Sequence, residues 1–254
     1  VQGSAGPGSI QSLLAGVAAL CLSHVFQPCL AAEGEDLLRQ FDRQILPESG
    51  EIFRKVVNIE PDGTRREFVL YTLKKGNERV ANLFLAPARK EDTVMLRVGE
   101  NMWLQRPGTI EPHRILSRDS VVQGIFDNWD LLRAGLAGDY VVDSIEEDSQ
   151  GQVLSLHART EWVAYPYIHI RLSPDSHQPI SLEAFDHAGA LAKAIRFKDV
   201  KDFGNGIVRP AVLEAESPRF PGHKALLVIG EIRPRELADE IFTKKNMQNL
   251  RDRR

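Results

Sequence analysis

The sequence predicts a mainly β protein, an antiparallel meander of about a dozen strands with two or three short helices. Three observations carry this. Short apolar-rich runs recur from residue 51 to residue 232, separated by turn signals such as Pro61-Asp62-Gly63, Lys75-Gly76-Asn77 and Gly204-Asn205-Gly206. Short strands at close spacing form hairpins, not βαβ units. Several runs alternate with period two: Ile168, Ile170 and Leu172 interleave with Tyr167, His169 and Arg171, the pattern of a half-buried strand. Helical spacing is confined to stretches near the start, middle and end of the meander.

In chain order, Leu37, Leu38, Phe41, Ile45 and Leu46 recur at spacings of three and four, and Pro47 stops the helix they imply. Glu35 and Asp36 sit in its first turn, where the helix dipole favours acids. Strands follow over 51–60, 65–74, 79–85, 93–98 and 101–105. Arg106-Pro107-Gly108 ends the last of these, because Pro cannot donate to a ladder and Gly favours a turn. A basic strand end, His113-Arg114-Ile115, comes next. Residues 117–139 are expected to lie over the open face of the sheet. Within them Val121, Val122, Ile125, Phe126, Trp129, Leu131, Leu132 and Leu136 suggest a second short helix capped by Asp127 or Asn128. Strands resume over 139–146, 152–158, 165–172, 180–185, 191–197, 207–216 and 224–232. Residues 237–242 suggest a final helical turn, and residues 244–254 read as a loose polar tail.

Two strands are apolar on both faces: residues 68–73, and residues 226–229. A one-sided sheet does not need this. Either the sheet closes on itself, or one face carries more apolar surface than its own helices cover.

Residues 1–31 are read as a signal peptide, behind a start at Val1 that is mis-called or tagged. Residues 13–26 are almost continuously apolar yet shorter than the roughly 20 needed to cross a bilayer. Cys29-Leu30-Ala31 offers a cleavage signal, with Ala32 as the first mature residue. Residues 32–254 are then one exported domain in the periplasm. The two cysteines, Cys21 and Cys29, both lie in the leader, so the domain has no thiol for a disulfide, a metal or a nucleophile. Neither follows the pattern of a lipid-modified cysteine.

A net charge of −3 indicates no nucleic-acid partner. No G-x-S-x-G elbow, H-E-x-x-H, phosphate loop or G-x-G-x-x-G occurs. No two of His113, His157, His169, His177, His187 and His223 have ligand spacing. The expectation is a protein without metal, cofactor or catalytic constellation.

Above this background stand a few side chains. Met102, Trp103 and Leu104, with Phe126, Trp129 and Tyr140, read either as core or as the wall and lid of an apolar cavity. Arg106, Arg114 and Arg118, with His113 beside them, read either as a solvated rim or as a seat for an anionic head group.

The order of motifs resembles the outer membrane lipoprotein-sorting family, the relatives of the periplasmic carrier LolA. Gly-Glu-Asn-Met-Trp-Leu-Gln-Arg-Pro at residues 99–107 carries the resemblance, with Gly138-Asp139-Tyr140 and Ile241-Phe242-Thr243 in support. It spans about residues 35–243. It implies a half-open antiparallel β-barrel with helices lidding the concave face. It also implies a carrier that binds acyl chains of a lipoprotein or lipid, makes transient membrane contact and works with an inner-membrane transporter. Two alternatives are an envelope adaptor that binds a partner by a sheet edge, and a hydrolase on a related scaffold using His113 or His169 with nearby carboxylates.

Overall fold

The computed structural model describes residues 27–253. Helix α1 (Gln27–Ile45) leads into β1 (Ser49–Ile59), β2 (Arg65–Lys75), β3 (Arg79–Ala86), β4 (Val94–Val98), β5 (Asn101–Gln105) and β6 (His113–Arg114). A one-turn helix, α2 (Asn128–Leu132), precedes β7 (Tyr140–Asp148), β8 (Gly151–Ala158), β9 (Tyr167–Leu172), β10 (Pro179–Phe185), β11 (Leu191–Asp202), β12 (Val208–Glu216) and β13 (Lys224–Pro234). Three 3-10 turns follow, the first at Asp239–Phe242 and the last at Gln248–Arg253.

All thirteen strands form one antiparallel sheet in the order β6-β5-β4-β3-β2-β1-β13-β12-β11-β10-β9-β8-β7. Each neighbour is a sequence neighbour except β1 and β13, which pair in the middle from Gly50↔Pro234 to Ile59↔Lys224. The sheet is not closed: β6 and β7 are its two edges. The signal-peptide reading falls mostly on residues outside those described. Helix α1 begins at Gln27, ahead of the expected start, and runs through the expected cleavage point.

Turn chemistry fixes the hairpins. At the first, the Gly63 N–H donates to Glu60 O at 2.9 Å and Asp62 Oδ1 accepts from the Thr64 N–H at 2.8 Å. Gly63 has a φ of 87°, which a residue with a Cβ rarely adopts.

The sheet has two covered faces. On the concave side Ile52, Val56, Phe68, Leu70, Phe84 and Met95 pack with Leu38 and Phe41 of α1 and with Trp129 and Leu131 of α2. On the convex side Tyr71, Leu73, Leu83, Val94 and Leu96 pack against Leu237, Ile241, Phe242, Met247 and Leu250. The end of the chain is therefore no loose tail: Met247 is 0% and Leu250 1% exposed. It covers the outer face, whereas the other helical elements cover the inner one. This accounts for the strand that is apolar on both faces at residues 68–73. Its outward Tyr71 and Leu73 need a second cover, and the C-terminal turns supply it.

Candidate functional site

Because β6 and β7 are opposite edges, the segment joining them must cross the sheet. Residues 115–139 do so over the concave side and form a plug, as the sequence led us to expect. Helix α2 packs on β3 and β4, and α1 covers β7 and β12.

The start of α2 is a reciprocal cap. Asp127 Oδ1 accepts from the Asp130 N–H, and Asp130 Oδ2 accepts from the Asp127 N–H, each at 3.0 Å. Both acids are buried and face Lys193 of β11, which donates to each. The Tyr165 hydroxyl adds a bond to Asp127 Oδ2 at 2.6 Å. Burial, then the neighbouring Asp130, pushes Asp127 upward, and Lys193 pulls it back.

Further bonds hold the plug. Arg54 Nη2 and Asn82 Nδ2 both donate to Leu131 O at 2.8 Å. Arg97, 1% exposed, reaches Asp139 Oδ1 at 3.0 Å and stacks 4.3 Å from the Trp162 ring. Asp42 of α1 accepts the Leu136 and Ala137 N–H groups at 2.6 and 2.8 Å. A Cβ on Gly135 would meet Asp42 Oδ2 at 2.7 Å, so a larger residue here would push Asp42 off its bonds to the plug.

The apolar candidates divide between the faces. Met102, Leu104, Phe126, Trp129 and Tyr140 all turn to the concave side and are buried there. Trp129 packs edge-on to Tyr140 and Tyr165 at 5.9 and 6.0 Å. Trp103 does not join them. Between Met102 and Leu104 on a strand, it must face the other way, and it rests half-buried on the convex cluster with Lys244 over its ring. The space under the plug is occupied by these side chains.

The rim candidates Arg106, Arg114 and Arg118 are exposed. Arg114 donates to Asn101 Oδ1 at 2.6 Å, and Arg118 lies 3.0 Å from His187 Nε2. Arg118 and His187 line a cleft of about 290 Å³ with His157 and Tyr167. A larger cleft, about 780 Å³, opens among Lys75, Asn77, Arg79, Glu100, Arg159 and Trp162.

What sequence reasoning missed is the set of inward polar residues: Arg54, Asn82, Arg97, Lys193 and Arg209. The signal was present. Each stands in phase with apolar neighbours, as Arg54 does with Ile52 and Val56, and Asn82 with Val80 and Phe84. A charge at an inward position is buried, and a buried charge needs a stated partner.

Comparison with known proteins follows this geometry. A family model described as an uncharacterized-protein-like family matches residues 76–249. No curated protein matches the chain. Among solved structures, a LolA superfamily protein from Nitrosomonas europaea is 24% identical with a TM-score of 0.76, over 85% of this chain and 98% of its own. A DUF1329 family protein from Desulfovibrio piger is 17% identical with a TM-score of 0.71, over 86% and 99%. A domain from Vibrio parahaemolyticus, assigned to outer membrane lipoprotein sorting, is 17% identical with a TM-score of 0.68, also over 86% and 99%. The resemblance read from residues 99–107 is borne out in the fold.

Proposed function

We propose that this chain, which belongs to the family matched over residues 76–249 and has the LolA-like fold, is a periplasmic carrier of lipoprotein or lipid acyl chains. One observation carries the reading. The concave apolar face is covered by a crossing segment, not by strands of a second sheet, and that cover is held by its apolar packing and by directional side-chain bonds from the sheet and α1. Such a cover can leave and return as a unit.

Uncovering Val122, Ile125, Phe126, Trp129, Leu131, Leu132 and Leu136 costs roughly 10–21 kcal/mol at about 1.5–3 kcal/mol each. A chain of about a dozen methylenes gains roughly 10 kcal/mol on burial at about 0.8 kcal/mol per CH₂. An acyl chain that takes the plug's place on Met102, Leu104 and Tyr140 therefore offsets a large part of that cost, and the remainder favours return of the plug, which suits a carrier that must also release. No bond is made or broken in this exchange. Among the described residues no helix is long and apolar enough to cross a membrane. Loading from an inner-membrane transporter and transient membrane contact belong to the same reading.

Displacement of a fluorescent fatty acid, with mass spectrometry of co-purifying lipids, tests it. Saturable binding and displacement by long-chain lipids are expected. No binding at any chain length would sink the carrier. It would favour instead an adaptor that meets its partner by the sheet edge, the reading that the filled interior recommends.

A further inference from the structure

The inside of the sheet holds more positive charge than its carboxylates offset. Arg97 is paired with Asp139, and Lys193 with Asp127 and Asp130. Asp42 faces Lys74 and Arg133, and Asp139 also faces Arg133. Among the described residues, Arg54 and Arg209 are left with no carboxylate in contact.

Arg54, 3% exposed, uses neutral partners: Thr72 Oγ1 at 2.9 Å, and Asn82 Oδ1 and Leu131 O at 2.8 Å. Arg209 is 1% exposed and has one bond, from Nε to Pro210 O at 3.3 Å. Its Nη1 has no partner, and neither has Nη1 of Arg133, which is 5% exposed. Arg209 is in phase with Ala211, Leu213 and Ala215, which are buried, and so points inward from β12. Arg54 pairs with Ile229 of β13, and Val212 of β12 pairs with Val228 of β13. The two arginines therefore share one face, two strands apart. Burial, then Arg54 and Arg133, pushes Arg209 down to about 9, so it remains a cation near neutral pH. An uncompensated buried cation is unfavourable, and free guanidinium N–H groups bind carboxylates and phosphates in particular.

The oxygen of Leu131 sits between two donors, Arg54 Nη2 and Asn82 Nδ2. When the plug lifts, that oxygen leaves and the seat is empty. We propose that Arg54 and Arg209, which stay on the sheet when the plug and its Arg133 lift away, form an internal seat for an anionic oxygen group, a carboxylate or phosphate at the head of the cargo. The inference rests on the carrier reading and narrows it. Acidic lipids bind head inward, with the acyl chain lying along the concave face.

The test compares hexadecanoic acid, hexadecanol and inorganic phosphate as competitors of a fluorescent probe. It uses the wild-type protein, Arg209→Met and Arg209→Lys, with melting temperature as a second readout. The acid should compete about tenfold or more better than the alcohol in the wild type, the strength of a charge-assisted hydrogen bond. That ratio should fall to about one in Arg209→Met and survive in part in Arg209→Lys. Equal competition by acid and alcohol in the wild type overturns the seat and leaves the carrier standing. So does an advantage that Arg209→Met retains. If neither lipid competes, the carrier reading fails and phosphate decides the seat. Stabilisation of the wild type by phosphate, lost in Arg209→Met, assigns it to a free anion; no stabilisation removes it. Should Arg209→Met not fold, the wild-type ratio and the Lys variant decide in the same way.

Discussion

Asp42 joins α1 to the plug through two backbone N–H groups, and its titration reports on that joint. Burial raises its pKa to about 6, against the pull of the Leu136 and Ala137 donors and of Arg133 and Lys74. In an unfolded chain an aspartate titrates near 4. The folded state therefore holds the proton more tightly. The stability this adds is complete below pH about 4 and is lost as the pH rises through about 6. A shift of about two units corresponds to at most about 3 kcal/mol. Asp42→Asn cannot follow this change, and its amide N–H₂ must face a backbone donor. The variant should be less stable than the wild type at pH 4, with the gap narrowing by about 2–3 kcal/mol by pH 7. Denaturant titrations across that range measure it. A gap that does not move with pH would mean that Asp42 is not the titrating joint.

At the scale of elements, the strands were legible because two cues agree at each of them. Period two places the apolar residues, as in Ile168, Ile170 and Leu172, and residues such as Asp62 and Gly63 close the hairpins. The cover over the concave face was legible too, from the apolar cluster at residues 121–136. Of the C-terminal turns only the first, at Asp239–Phe242, was legible; the two after it were not. Met247 and Leu250 are thinly spread among Lys, Asn, Gln and Arg, and 3-10 turns have no long period to detect. The clue lay elsewhere, in the outward Tyr71, Leu73, Leu83 and Leu96, which had no assigned partner. Their surplus belongs to the outer face, where the C-terminal turns cover it. Trp103 was misplaced, since its strand neighbours Met102 and Leu104 turn inward and it cannot.

This gives the C-terminal turns a measurable weight. Leu250 is 1% exposed, four residues from the end of the chain. Leu250→Ala should cost about 2–4 kcal/mol, the range for a buried leucine truncated in a core. In a loose tail the same change would cost about nothing. Equilibrium unfolding separates the two, and a loss below about 0.5 kcal/mol would take the segment off the convex face.

For the molecule as a whole, the arrangement of edges is what relates structure to transport. Strands β1 and β13 pair over ten positions at the centre of the sheet, so they can open only when the whole sheet does. The plug is anchored at the two edges, where β6 has only two residues. Between them its own hold consists of side-chain contacts to the sheet and α1 and a five-residue helix. Its amides should therefore open at lower free energy than those of β1 and β13. Hydrogen exchange reads this directly. The amides of Leu136 and Ala137, which bond to Asp42, should exchange by a local opening, while Val56 and Val228 follow global unfolding. Saturating long-chain lipid should speed exchange across residues 120–137 and leave the central strands as they were, because the acyl chain takes the place of the plug on the inner face. Equal protection in plug and central strands, unchanged by lipid, would make residues 115–139 a permanent part of the core and leave no room for cargo on the concave face.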